Sequence, residues 1–284
     1  MGVVNVTPDS FSDGGLFFEP GAAVAHGLRL ASEGADILDV GGESTRPGAE
    51  PVSEDRELER VLPVIEGLAD RLQSTQGASP RARPQISIDT SKSSVARASL
   101  AAGASFVNDV TALRGDPRMV GVLAESEVEC CLMHMRGEPR TMQLEPRYED
   151  VVDEVKAFLA ERLEFAVSEG VAEERVVLDP GIGFGKTAEH NLELLRRLGE
   201  LTELGRPLLV GTSRKAFLGR ILADAEGASD PVDVAARLPG TLATCVLAYE
   251  RGGRVFRVHD VAPARAALTV TAATLGARWT TTTS

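Results

Sequence analysis

Three polar residues, Asp89, Asn108 and Asp179, each stand at the end of a short apolar run, and the cations Lys215, Arg257 and His259 lie at or just past two more. The first three are acceptors or amides. They suit a planar heterocycle with a guanidine-like edge, because a carboxylate accepts two parallel N–H bonds and so fixes orientation as well as affinity. The cations, together with Arg46, form a basic set able to hold a phosphate or diphosphate. Asn5 ends the first apolar run with a neutral oxygen, suited to a magnesium ion carried on phosphates. Met133 and Phe184 are candidate walls for a flat ligand, although core packing explains Met133 as well. His259 also fits an N-cap contact to the last helix, and Lys215 a solvated helix start. A strand-end Asp or Asn taken singly is usually a loop cap. A chain-long series of such ends on one rim calls for another explanation.

The elements that must position these groups are strands followed by helices. Val176 to Asp179 is a β-branched run ending in a carboxylate, and Pro180-Gly181-Ile182-Gly183-Phe184-Gly185-Lys186 is a glycine-rich loop whose backbone can approach a ligand closely. Its spacing fits neither a Walker A loop nor a dinucleotide fingerprint. Further strands are expected at Gly2–Val6, Ile37–Val40, Gln85–Asp89, Ser105–Asp109, Glu129–Met133, Pro207–Gly211 and Arg254–His259. Helical spacing falls over Pro20–Ser32, from the N-cap Ser53 to Leu72, over Ser91–Ala102, Pro117–Glu125, Tyr148–Ser168 and His190–Leu201, from Lys215 to about Arg251, and over Pro263–Leu275. Eight strand–helix units in 284 residues predict a single α/β domain, a closed (β/α)8 TIM barrel. Its ligand site lies at the C-terminal ends of the strands, so Asn5, Asp39, Asp89, Asn108, Met133, Asp179, Ser213, Lys215, Arg257 and His259 share one rim. Residues 73–84 read as a flexible surface loop on the opposite face, and 280–284 as a frayed tail.

Bulk properties exclude other classes. A net charge of −12 argues against general nucleic-acid binding, and an anionic substrate would need a local basic pocket. No apolar run approaches a membrane span and no export signal opens the chain, so a cytoplasmic protein is expected. Cys130, Cys131 and Cys245 lack disulfide or zinc spacing and read as small core residues.

The segments Asn5-Val6-Thr7-Pro8-Asp9-Ser10-Phe11-Ser12-Asp13-Gly14-Gly15 and Asp39-Val40-Gly41-Gly42-Glu43-Ser44-Thr45-Arg46-Pro47-Gly48 closely resemble the bacterial dihydropteroate synthases. Ser87-Ile88-Asp89-Thr90, Val107-Asn108-Asp109, Leu132-Met133-His134-Met135, Leu178-Asp179-Pro180-Gly181, Ser213-Arg214-Lys215 and Arg257-Val258-His259-Asp260 continue the resemblance in order, over nearly the whole chain. The resemblance implies condensation of 6-hydroxymethyl-7,8-dihydropterin diphosphate with 4-aminobenzoate by a homodimer using magnesium. It implies that Asp89, Asn108, Asp179 and Lys215 bind the pterin, flanked by Met133 and Phe184. Asn5 would meet the metal, Arg46, Arg257 and His259 the diphosphate, and Phe11, Thr45, Pro47 and Ser213 the aminobenzoate. Asp13 would join when the first loop closes. Members carry a short segment before the first strand, whereas this sequence opens on it, so either the start is late or the barrel floor is closed differently. Two rivals are a methyltransferase that holds a methyl-folate in a similar barrel and an inactive pterin-binding paralogue. The Ser44-Thr45-Arg46-Pro47 stretch and the Arg257/His259 pair argue against the first. Intact Asn5, Arg46, Lys215, Arg257 and His259 argue against the second.

Overall fold

A computed structural model describes residues 1–7, 19–44, 48–74, 83–137 and 141–276. Its strands are β1 (Gly2–Asn5), β2 (Ile37–Gly41), β3 (Gln85–Asp89), β4 (Phe106–Asp109), β5 (Glu129–Met133), β6 (Val176–Asp179), β7 (Leu208–Val210) and β8 (Gly253–Phe256). Its helices are α1 (Pro20–Ser32), α2 (Glu54–Ser74), α3 (Ser93–Ala101), α4 (Met119–Ser126), α5 (Val151–Ser168), α6 (Ala188–Arg196), α7 (Ala216–Glu226), α8 (Leu238–Glu250) and α9 (Val261–Thr274). The strands run parallel in sequence order. The ladder returns on itself: Val3 N donates to Val258 O at 3.1 Å and Val258 N donates to Met1 O at 2.9 Å. The expected (β/α)8 barrel is therefore closed.

Strand periodicity decides what faces the lumen. Side chains alternate between the two faces of a strand, so every second residue points inward. Leu38, Val40, Ile86, Ile88, Val107, Cys130, Leu132, Val176 and Leu178 pack outward in the large core beneath the helices. Met1, Ile37, Phe106, Cys131, Val177 and Leu209 pack together as a separate apolar plug, with Val255 against it. Two residues further along, the same inward face reaches Asp39 above Ile37, Asn108 above Phe106, Met133 above Cys131 and Asp179 above Val177. The plug is the floor on which the polar residues stand.

Several boundaries differ from expectation by a few residues, and three of the differences change the reading. β8 stops at Phe256, so Arg257 and His259 sit on the loop beyond it. β2 runs on to Gly41, which puts Asp39 inside the strand, fully buried, and not at its end. The helix expected as far as Arg251 is α7, a short 3-10 turn at Val234–Arg237, and α8. The break follows Gly227, whose left-handed backbone (φ 71°) ends α7. Much of the expected 73–84 loop and all of the 280–284 tail lie outside the described residues. All three cysteines are buried free thiols, and no helix among the described residues is long and apolar enough to cross a membrane.

Candidate active site

One cleft at the C-terminal rim is lined by Asp89, Asn108, Val110, Met133, Asp179, Ile182, Phe184, Gly211, Ser213, Lys215, Arg257 and His259, and holds about 500 Å³ including its open mouth. Nine of the residues singled out in the sequence are among them. Register explains the convergence, because Asn5 pairs with Gly41, Gly41 with Asp89 and Asp89 with Asn108, while Met133 pairs with Asp179. Gly41 leaves room at the rim: a Cβ there would sit 3.7 Å from Asp89 Oδ2 and 3.9 Å from Asn5 Oδ1.

Beneath the cleft, Asp39 ties three strands together. Its Oδ1 accepts from Ser87 Oγ at 2.6 Å, and its Oδ2 accepts from Arg257 Nε at 2.6 Å and from Asn108 Nδ2 at 3.2 Å. Arg257 Nη2 donates to Asp89 Oδ2 at 2.8 Å. Arg257 is thus held by two carboxylates from below. The amide of Asn108 spends its N–H on Asp39 and keeps its oxygen for the cleft.

The β6–α6 loop is pinned from several sides. Lys186 is 3% exposed, and its Nζ donates to the carbonyls of Gly181 and Phe184, each at 3.0 Å, and to His134 Nδ1 at 2.8 Å. Gln143 Nε2 donates to Gly183 O, Tyr148 Oη to Gly185 O, and Gly183 N to Asn191 Oδ1. Gly181 (φ 65°) has no room for a side chain, since a Cβ would strike the carbonyl of His134. These ties fix Ile182 and Phe184 in the cleft wall. They also settle the glycine-rich motif, because Lys186 is turned into its own loop and is not offered to a phosphate.

The β7–α7 loop meets the loop beyond β8 through Ser213 Oγ and His259 Nδ1, 2.9 Å apart, and His259 N donates to the same hydroxyl at 3.1 Å. His259 therefore looks into the rim, while Asp260 takes the N-cap position of α9. Lys215 Nζ lies 4.1 Å from the centroid of the Phe184 ring, a cation–π contact across the cleft.

Burial sets the ionisation of this group. It pushes Asp89 up to about 7 against the pull of Arg257, and Asp179 up to about 6 against the Gly181 N–H and Lys215. It pushes Lys215 down to about 8 against Asp179, and Lys186 down to about 7. Burial also disfavours the charge of Arg257, but Asp39 and Asp89 outweigh it and hold the guanidinium above its ordinary range. Carboxylates pushed up and an amine pushed down within one cleft mark a binding or catalytic site.

The family model described as pterin binding enzyme matches residues 1–259. The chain is 44% identical over 278 residues to the Escherichia coli (strain K12) dihydropteroate synthase, covering 98% of this chain and 92% of that one. The chain belongs to the dihydropteroate synthase family. Solved structures agree. A Yersinia pestis dihydropteroate synthase with a sulfonamide drug complex superposes with a TM-score of 0.87 at 41% identity, covering 97% of this chain and 93% of that one. A Xanthomonas albilineans dihydropteroate synthase with 4-aminobenzoic acid gives 0.85 at 47% identity, over 97% and 92%.

For a member of the dihydropteroate synthase family, the placement of the remaining sequence candidates can be read directly. Phe11, Asp13, Thr45, Arg46 and Pro47 lie outside the described residues. The stem of the second loop is described: Lys92 joins Glu43 to the fully buried Glu57, and Arg60 Nη1 donates to Gly42 O at 2.7 Å. Asn5 sits at the end of β1 beside Gly41, near Asp89 but not lining the cleft. Among the described residues nothing hydrogen-bonds its side chain, and no three His, Cys, Asp or Glu residues cluster as a metal cage. One uncommitted neutral oxygen fits a metal that arrives on a phosphate, not one held by the protein alone. Two groups escaped the sequence reading: Asp39 as the carboxylate beneath Arg257, and Lys186 as the clamp of its loop. The alternation Ile37-x-Asp39-x-Gly41 carried the first signal. Nothing local carried the second.

Proposed function

We propose that this chain joins 4-aminobenzoate to 6-hydroxymethyl-7,8-dihydropterin diphosphate in folate biosynthesis. A C–N bond forms at the pterin methylene, the C–O bond to diphosphate breaks, and 7,8-dihydropteroate and diphosphate result. The observation that carries this reading is the single cleft that brings Asp89, Asn108 and Asp179 together with Lys215, Arg257 and His259, in a chain of this family.

Asp179 and Asp89 accept from the N–H edge of the pterin, the Asn108 oxygen accepts a further N–H, and Met133 and Phe184 flank the ring, with Lys215 beside it. Arg257, His259 and Arg46 receive the diphosphate. A magnesium ion on that diphosphate would be held at Asn5 and would supply neutralisation of leaving-group charge. Phe11, Thr45, Pro47 and Ser213 receive the aminobenzoate, and Asp13 completes the site on loop closure. The amine of 4-aminobenzoate is already neutral near pH 7, so no strong base is needed. The obstacle is the departure of a highly charged leaving group, and fixed cations stabilise the charge that develops there. Electron release from the reduced pterin supports a carbocation-like methylene, so bond breaking runs ahead of bond making. Exclusion of water from the cleft would protect that cation.

The test is product stoichiometry. With both substrates and magnesium, dihydropteroate and diphosphate form in equal amounts; absence of dihydropteroate would remove the function. With aminobenzoate left out, slow diphosphate release is expected, and its complete absence would remove the stepwise order.

The ionisation of the cleft gives a pH profile. A carboxylate accepts from the pterin only when ionised. kcat/KM for pterin diphosphate should therefore fall on the acid side as Asp89 (about 7) and then Asp179 (about 6) take up protons. It should fall on the alkaline side as Lys215 (about 8) loses its proton. A profile flat from about pH 5 to about pH 9 would contradict these assignments.

A further inference from the structure

The loop between β7 and α7 contains a residue with a left-handed backbone and no place in the cleft lining. Arg214 has φ 58°, a region that residues with a Cβ seldom adopt unless their surroundings enforce it. It stands between Ser213 and Lys215, both of which face the cleft. Contacts among the described residues hold it. Its Nε and Nη2 donate to Asp260 Oδ2 and Oδ1 at 3.0 and 2.7 Å, its N donates to Thr241 Oγ1 at 3.0 Å, and its carbonyl accepts from Arg237 Nη1 at 3.1 Å. Asp260 directly follows His259 on the loop beyond β8. The ion pair is two-pronged and partly buried, with side chains 19% and 23% exposed. Such a fork fixes direction as well as distance, which a flexible surface pair does not.

We propose that Arg214 and Asp260 are a positioning pair for the transfer step, tying the loop of Ser213 and Lys215 to the loop of Arg257 and His259. Release of the fork frees the left-handed turn to relax, and relaxation there moves both of its neighbours. The pair thus sets how far the amine beside the pterin lies from the cations that receive the diphosphate. The carboxylates and amide assigned to the pterin ring stand on β3, β4 and β6, which the pair does not touch, so ring affinity should survive its loss. This inference rests on the substrate assignments proposed above.

The test uses wild type, Arg214→Ala, Asp260→Asn and the double variant. Calorimetric titration with 6-hydroxymethylpterin gives pterin affinity and the number of competent sites, and turnover with both substrates is then expressed per competent site. Each single variant should keep pterin affinity within about threefold while kcat per site falls about 10-fold to 100-fold, as misplacements of about an ångström do. The double variant should be no slower than the worse single variant, because both substitutions break one interaction. Unchanged kcat per site in the single variants overturns the proposal, and so do losses that multiply in the double variant. Asp260→Asn preserves shape and remains the deciding variant if Arg214→Ala does not fold. Failure of wild type to turn over would instead strike the underlying functional reading, which keeps the two outcomes apart.

Discussion

Arg257→Ala should lower kcat for dihydropteroate formation by about 100-fold to 1,000-fold, the scale on which a pre-set donor to a developing anion acts. The cause lies below the cleft. Asp39 and Asp89 hold the guanidinium by its Nε and Nη2 at 2.6 and 2.8 Å, so the cation is placed before any substrate arrives. Arg257→Lys should recover little, because a point charge cannot span both carboxylates as the planar fork does. The same substitution strands Asp39, which is fully buried, next to Asp89. A stability loss of about 3 kcal/mol is expected, the low end of the range for breaking a buried pair, since Arg257 retains some exposure. The loss depends on pH with a definite sign. Burial already raises Asp89 to about 7, and Arg257 is the main influence opposing that rise. Without Arg257 the folded-state value rises further above the unfolded one. Stability is then present at low pH and lost as pH climbs through the folded value. The melting temperature of Arg257→Ala, compared with wild type, should therefore improve as pH is lowered toward about 7 from the alkaline side. A gap between the two proteins that is constant over this window would contradict the arrangement of the three charges.

Asp179→Asn should weaken pterin binding by about 100-fold or more. A carboxylate offers acceptors along the whole N–H edge of the ring, whereas an amide offers one oxygen and turns an N–H toward another N–H. The fold around it should persist, because the remaining oxygen still accepts from Gly181 N, as Asp179 Oδ1 does at 2.7 Å. A second effect separates a specific role from general damage. Asp179 supports the charge of Lys215 against burial, so its neutralisation should move the alkaline limb of the pH profile to lower pH. Titration calorimetry with a pterin, together with kcat/KM across pH, reads both effects. Unchanged affinity would remove Asp179 from the pterin site, and an unmoved alkaline limb would separate it from Lys215.

Much of this was legible in the chain because a parallel barrel ties chemistry to strand ends. Asp89 and Asp179 close their strands, Asn108 stands next to the end of its own, and the sheet register carries all three to one rim. Asp39 looked like another rim residue for a similar reason, an acid near the end of a short apolar run. Gly41 in fact holds the rim position, and the two-residue period of the strand drops Asp39 one layer down, where it carries Arg257 instead of meeting a ligand. Lys186 was obscure for a different reason. Its partners are carbonyl oxygens of its own loop and a ring on the loop after β5, and backbone acceptors leave no mark on residue type. Arg214 was visible only as part of Ser213-Arg214-Lys215. Its left-handed backbone and its fork to Asp260 are properties of the fold, not of the letters around it.

Transfer in this cleft depends on one orientation: the heterocycle against the acids and the leaving group against the cations. A crystal structure of the protein with pterin diphosphate measures this directly. The ring should lie within hydrogen-bonding distance of Asp89, Asn108 and Asp179, with the diphosphate against Arg257 and His259. A ring seated outside these three residues, or a diphosphate turned away from Arg257, would contradict it.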